Sequence, residues 1–320
     1  MSERTKRRAS EPAKDTRPGR SLDVASDSLE RFREAREGER VVGGLRGQRA
    51  RSWTERFLTR TTSGAIYALA VLACLFAGRF ATTALVTAMA WLCCSEFFRI
   101  VRLSGRMPNE VIGLSAAALY PVVGLVRFEA LSAVTLLLIV AVGSWYVLTP
   151  RANISDASVT VFGAAYTGLL FSSIVMIRAS DAGFEGALLT LGVMGSVWVN
   201  DAFAYLVGSR IGRHKLAPRI SPNKSWEGMY GGIVGSCVVW LIMVALGIRD
   251  ISVPVALIGG VLCGLAGVCG DLFESRLKRA VGVKDSGNLI PGHGGLLDRS
   301  DSMLFASMTA FFVLRFGGII

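Results

Sequence analysis

SVPVALIGGVLCGLAGVCGDLFESRLKRAVGVKD, residues 252–285, decides the fold. Its first half, 252–269, is apolar, glycine-rich and free of charge, close to the roughly 20 residues that cross a bilayer. The character then changes at once. Asp271, Glu274 and Lys278 recur at helical spacing, so they share one face, with Ser275 and Arg279 following the same row. The stretch predicts a membrane helix that runs on into a polar end, carboxylates nearest the apolar block and cations farther out. An i,i+4 salt pair accounts for Glu274 and Lys278. It does not account for Asp271, which sits directly against Gly, Leu, Val and Cys.

The rest of the chain repeats the first half of this pattern. Apolar blocks fall at roughly 62–78, 80–98, 110–126, 130–149, 160–177, 186–207, 229–248, 252–269 and 303–320. The 320 residues are 52% hydrophobic and 18% charged, below the about 25% charge usual for soluble domains. The expected fold is an all-α polytopic integral membrane protein of about nine transmembrane helices. Residues 1–60 are a different material, with 16 Lys or Arg and 10 Asp or Glu, and read as a basic, disordered cytoplasmic tail. Arg49, Arg51, Trp53, Arg56, Phe57 and Arg60 suit an anionic lipid surface. Residues 61–320 form the transmembrane domain. The first apolar block starts only after residue 60, which does not fit a secretory signal peptide. The six cysteines lie in apolar blocks without a CxxC pair, so neither a disulfide framework nor a zinc site is expected.

With nine spans, the loops sharing a side with the tail carry fourteen Lys or Arg, and the opposite loops carry four. The positive-inside rule then puts the tail in the cytoplasm. The two longest loops between spans, 208–228 and 270–302, face the same way. Glycines at 228, 231, 232, 235, 260, 264 and 267 recur at spacings of three and four within apolar helices, which points to close helix packing.

Three polar constellations remain. Asn200 and Asp201 fall inside a span, where an ionisable group is costly and marks a functional candidate. Tyr205 follows one turn later, and then Arg210, Arg213, His214, Lys215 and Arg219 lead into SPNKSWEG, residues 221–228. Ser221, Asn223, Lys224 and Ser225 supply donors suited to phosphate oxygens. The second constellation is the row from Asp271. The third is NLIPGHGGLLDRSD, residues 288–301, where glycines let a ligand approach the backbone and Asp298 and Asp301 precede an apolar run. Helix capping would explain one Asp but not both. Carboxylates beside cations and a glycine turn suit magnesium and a phosphorylated substrate.

These residues resemble a known signature. Ser275, Lys278, Arg279, Lys284, Asp285, Pro291, His293, Gly294, Gly295, Asp298, Arg299 and Asp301 match in type and spacing the pattern of the phosphatidate cytidylyltransferases, also called CDP-diacylglycerol synthases. The segment from Asp201 through SPNKSWEG looks like that family's second block. The resemblance covers about 200–305 strongly and the other spans by hydropathy only. Ser300 stands where the family carries an apolar residue or Thr. The resemblance implies that CTP and phosphatidic acid are joined into CDP-diacylglycerol and pyrophosphate. It implies a catalytic group of Asp271, Lys278, Arg279, Lys284, Asp285, His293, Asp298, Arg299 and Asp301. It implies Mg2+ at Asp271 and Asp298, with a second cation left open. Asp201, Tyr205, Ser221, Asn223, Lys224, Ser225 and Glu227 would surround the substrates. His293 is open to a phosphate donor, an acid or a turn-forming role. The implied partners are CTP, phosphatidic acid and the bilayer, with a homo-oligomer left open. The expected location is the cell membrane, with the N-terminus and site cytoplasmic.

Two other readings stand beside it. One is a CTP-dependent enzyme acting on an isoprenoid lipid phosphate, since any lipid tail packs against Leu and Val. The other is a polytopic transporter, motivated by nine spans and Asn200–Asp201 at depth. Its polar groups should be strung along a path, whereas here they gather on one side. Nucleic-acid binding is not expected, because no basic platform interleaved with aromatics is present.

Overall fold

The computed structural model describes residues 62, 64–287 and 294–320. The 1–60 tail and His293 lie outside the described residues. Nine helices run through the described residues: α1 (Gly64–Ala77), α2 (Arg79–Leu103), α3 (Glu110–Gly124), α4 (Ala130–Leu148), α5 (Ile154–Ala179), α6 (Phe184–Ile211), α7 (Trp226–Ala245), α8 (Val253–Ala280) and α9 (Leu297–Phe316). Six of them, α2 and α4 through α8, are long and apolar enough to cross a membrane. The protein is an all-α polytopic membrane protein.

Local sequence sets several starts. Asn109 accepts the Ile112 amide at the head of α3. Asn153 and Asp156 form a reciprocal capping box at the head of α5. Ser225 accepts the Gly228 amide and caps α7. Pro254 sits in the first turn of α8, where its missing N–H costs nothing. Inside α5, residues Ala165–Leu169 make a π-helical turn.

Helix α6 leads through 212–225 into α7, α8 leads through 281–296 into α9, and Glu96 of α2 reaches Leu296 and Leu297, so the ends of α2, α6 and α8 meet the starts of α7 and α9. At the other end, the buried Arg178 donates through Nε to the Leu75 carbonyl (3.0 Å) and through Nη1 to the Asp181 carbonyl (2.8 Å). Arg249 donates to the Ile319 carbonyl at 3.0 Å on the same side.

The glycines of α7 and α8 let backbones touch, as expected. A Cβ on Gly260 would lie 2.9 Å from the Cys237 backbone nitrogen, and one on Gly264 3.2 Å from the Ile233 Cα. Helix α8 has 28 residues, about 42 Å at about 1.5 Å per residue, against a hydrocarbon core of about 30 Å. Its last two turns, which carry Glu274 and Lys278, therefore reach the interface. The 208–228 loop holds a small antiparallel hairpin, β1 (Lys215–Ala217) with β2 (Ser221–Ser225). The hydropathy pattern gave no hint of it.

Candidate active site

Helix α8 continues unbroken through Ala280, so Asp271, Glu274 and Lys278 do share a face. Glu274 is fully buried and pairs with the Lys278 ammonium one turn on. The same ammonium donates to Asp298 Oδ1 at 2.7 Å, linking α8 to the first turn of α9. Asp298 also accepts the Ser286 amide (2.9 Å to Oδ2, 3.1 Å to Oδ1) and the Gly295 amide (2.8 Å to Oδ2). One carboxylate thus ties together both ends of the loop between α8 and α9. Gly294 sits at φ +84°, and a Cβ there would lie 2.7 Å from Asp298 Oδ2. Only glycine serves at that position.

A second clamp comes from a residue the sequence reading passed over. Glu96, deep in α2 and 8% exposed, accepts the Ser286 hydroxyl (3.0 Å) and the Leu296 and Leu297 amides (3.1 and 2.8 Å). It caps α9 from another helix, where α9 has no side-chain cap of its own. Arg99, three residues on, donates to the Ser286 carbonyl. Glu96→Gln turns one acceptor oxygen into a donor facing these donors. It is expected to cost about 1–3 kcal/mol, read as a lower Tm in detergent. An unchanged Tm would show that Glu96 does not anchor the loop.

The two sequence blocks meet through Lys224 of β2, whose ammonium lies 2.5 Å from Asp271 Oδ2. Ser275 donates to Asp271 Oδ1 at 3.1 Å. Asp271 and Asp201 are close enough to Asp301 to repel it, and Asp271 likewise repels Asp201. Three carboxyl groups thus gather where α6, α8 and α9 converge. Beside them Asn200 is buried, with neither side-chain polar atom partnered in the structure. A Cβ on Gly232 would come within 2.8 Å of its Oδ1.

Several expected site residues have other work. Glu227 accepts the Arg213 and His214 amides (both 3.2 Å) and contacts His214 Nδ1 at 2.6 Å, which fastens the base of the hairpin. The Ser225 hydroxyl is its helix cap. Arg279 donates to the Val283 carbonyl at 3.0 Å. Lys284, Asp285, Asn223 and Arg299 are exposed and Ser221 is half-buried, all near the polar end. Tyr205 is 77% exposed.

Among the described residues, no group of three or more His, Cys, Asp or Glu side chains forms a metal-binding set. Magnesium needs fewer protein ligands than that, often one or two carboxylates with substrate phosphates completing the shell. Asp271, a part-exposed carboxylate beside Lys224, fits that smaller demand. Asp298 fits less directly, because its two oxygens already take four donor contacts.

The helical bundle and the acids and cations gathered at the end of α8 define a multi-pass membrane protein with a part-buried, charge-dense site. Residues 58–316 match the model of the cytidylyltransferase family, and the chain belongs to that family. It is 34% identical over 266 residues to the phosphatidate cytidylyltransferase of Bacillus subtilis (strain 168), covering 80% of this chain and 96% of that protein. It is 41% identical over 155 residues to the phosphatidate cytidylyltransferase of Staphylococcus saprophyticus, covering 48% of this chain and 58% of that one. It is 44% identical over 131 residues to the Escherichia coli (strain K12) uncharacterized protein YnbB, covering 41% and 44%. The chain thus spans about half the length of these last two relatives.

Proposed function

We propose that the protein is a phosphatidate cytidylyltransferase, joining CTP and phosphatidic acid into CDP-diacylglycerol and pyrophosphate. The observation that carries this is the junction of the three polar constellations, Lys224 on Asp271 and Lys278 on Asp298, at one end of a membrane bundle. A phosphate oxygen of the lipid attacks the α-phosphorus of CTP. The α–β anhydride bond breaks and pyrophosphate leaves. Such a transfer asks for positioning and charge neutralisation more than for covalent help. Lys278, Arg279, Lys284 and Arg299 would hold the triphosphate and the departing pyrophosphate. Ser221, Asn223 and Lys224 would flank the substrates.

Mg2+ would be held by Asp271, and by Asp298 once it exchanges its present donors, with Asp301 a further ligand or a group behind them. Bound there, it would offset phosphate charge and polarise the phosphoryl oxygens. The site faces the cytoplasm at the cell membrane in this reading, on the strength of the loop charges. A lipid phosphate at the end of α8 keeps its tails beside the apolar turns below it.

Purified protein in detergent, given CTP and phosphatidic acid, is expected to release CDP-diacylglycerol and pyrophosphate only when Mg2+ is present. An isoprenoid phosphate offered as competing acceptor should react poorly. Preferential use of the isoprenoid, or no nucleotidyl transfer at all, would sink the proposal.

A further inference from the structure

Tyr166 lies in the one π-helical turn among the described residues, Ala165–Leu169. Such a turn carries an extra residue and is found often at functional sites. Here it presses the Tyr166 ring into an aromatic box, with ring centroids 5.8 Å from Phe162, 5.9 Å from Phe97, 5.0 Å from Phe273 and 6.1 Å from Phe305. The last two are neighbours of site residues along their helices. Phe273 sits between Asp271 and Glu274 on α8, and Phe305 follows Asp301 by one turn on α9. The ring therefore meets the acid cluster from the α5 side.

The Tyr166 hydroxyl is buried and has no hydrogen-bond partner in the structure. Buried hydroxyls are almost always paired, so an orphan calls for a cause. Tyr120, equally buried, shows the ordinary arrangement, with Thr135 Oγ1 2.9 Å from its hydroxyl. The ionisable groups that bear on the Tyr166 phenol are Asp301 first, then Glu274, Cys93 and Asp271. They accept hydrogen bonds, yet none is close enough to take this one.

We propose that the Tyr166 hydroxyl donates to a phosphoryl oxygen of bound substrate, so that its partner arrives with the ligand. This rests on the cytidylyltransferase reading above. Phosphate oxygens are strong acceptors. A phenol offers them a donor without changing the net charge of the cluster. The aromatic box fixes the donor in place, so little ordering is needed when the ligand binds.

The test is Tyr166→Phe in the full chain, purified in detergent. Losing a hydrogen bond to a charged acceptor predicts a fall in kcat/KM of about 10- to 100-fold. The Tm of the unliganded protein should hold or rise, since the lost hydroxyl was unpaired. KM is measured for each substrate with the other saturating. A rise confined to CTP places the contact on the nucleotide, and one confined to phosphatidic acid places it on the lipid. Unchanged kcat/KM for both substrates overturns the inference. So does a lowered Tm with unchanged kcat/KM, the mark of a structural water. Turnover by the wild-type chain in the same assay separates these results from a failure of the cytidylyltransferase reading.

Discussion

Asp298→Asn is expected to lower turnover and stability together. The Asp298 carboxylate accepts from the Lys278 ammonium and from the Ser286 and Gly295 amides. Asparagine keeps one acceptor oxygen and sets an NH2 against groups that can only donate. The Lys278 and Asp298 side chains are 11% and 9% exposed, so water offers little relief. Breaking a buried pair of this kind costs about 3–5 kcal/mol. The freed loop would also shift the glycine turn. A displacement on the order of 1 Å at a reacting centre costs about 100-fold in rate. Thermal unfolding and CDP-diacylglycerol formation, measured on one preparation, read both losses. If activity vanished with the Tm intact, Asp298 would be a direct metal or substrate ligand and not a clamp.

Asp271→Asn should behave in the opposite sense. Its partners are two side chains, Lys224 and Ser275, and the ion pair is part-exposed, at 25% and 31%. Such pairs contribute about 0.2–1 kcal/mol, so the Tm should barely move. Turnover should fall by on the order of 10^3-fold, because a fixed charge at the centre of the acid cluster is lost. The Mg2+ concentration for half-maximal rate should rise as well. A variant keeping a tenth of wild-type turnover at saturating Mg2+ would remove Asp271 from the metal site.

Much of the frame could be read from the chain because it is written in local period. Each of the nine apolar blocks became a helix, and the i, i+3, i+7 row from Asp271 proved to be one face. Helix starts were read less well, for a physical reason. α5 begins at Ile154 and α9 at Leu297, both earlier than hydropathy placed them. Their first turns carry polar residues (Asp156 and Asp298 among them) that dilute an apolar window. The Asn153–Asp156 capping box was the available signal for α5. Glu96 was missed because its partners lie 190 to 201 residues away, where no spacing rule reaches. The argument that singled out Asp201, a carboxylate inside a span, applies to it unchanged. Tyr166 left no trace either, since a π turn reads in sequence as ordinary helix.

That turn also sets the azimuth of everything beyond it. Each residue of an α-helix advances by about 100°. Removing the extra residue would swing the segment past Leu169 by that angle. Arg178 would then no longer face the Leu75 carbonyl, nor Ser173 the Ser307 hydroxyl 2.8 Å away. A single inserted residue therefore phases two halves of one helix, the first toward the acid cluster and the second toward the staple at the opposite membrane face. A one-residue deletion within 165–169 should be far less tolerable than its size implies, because it dephases both ends at once.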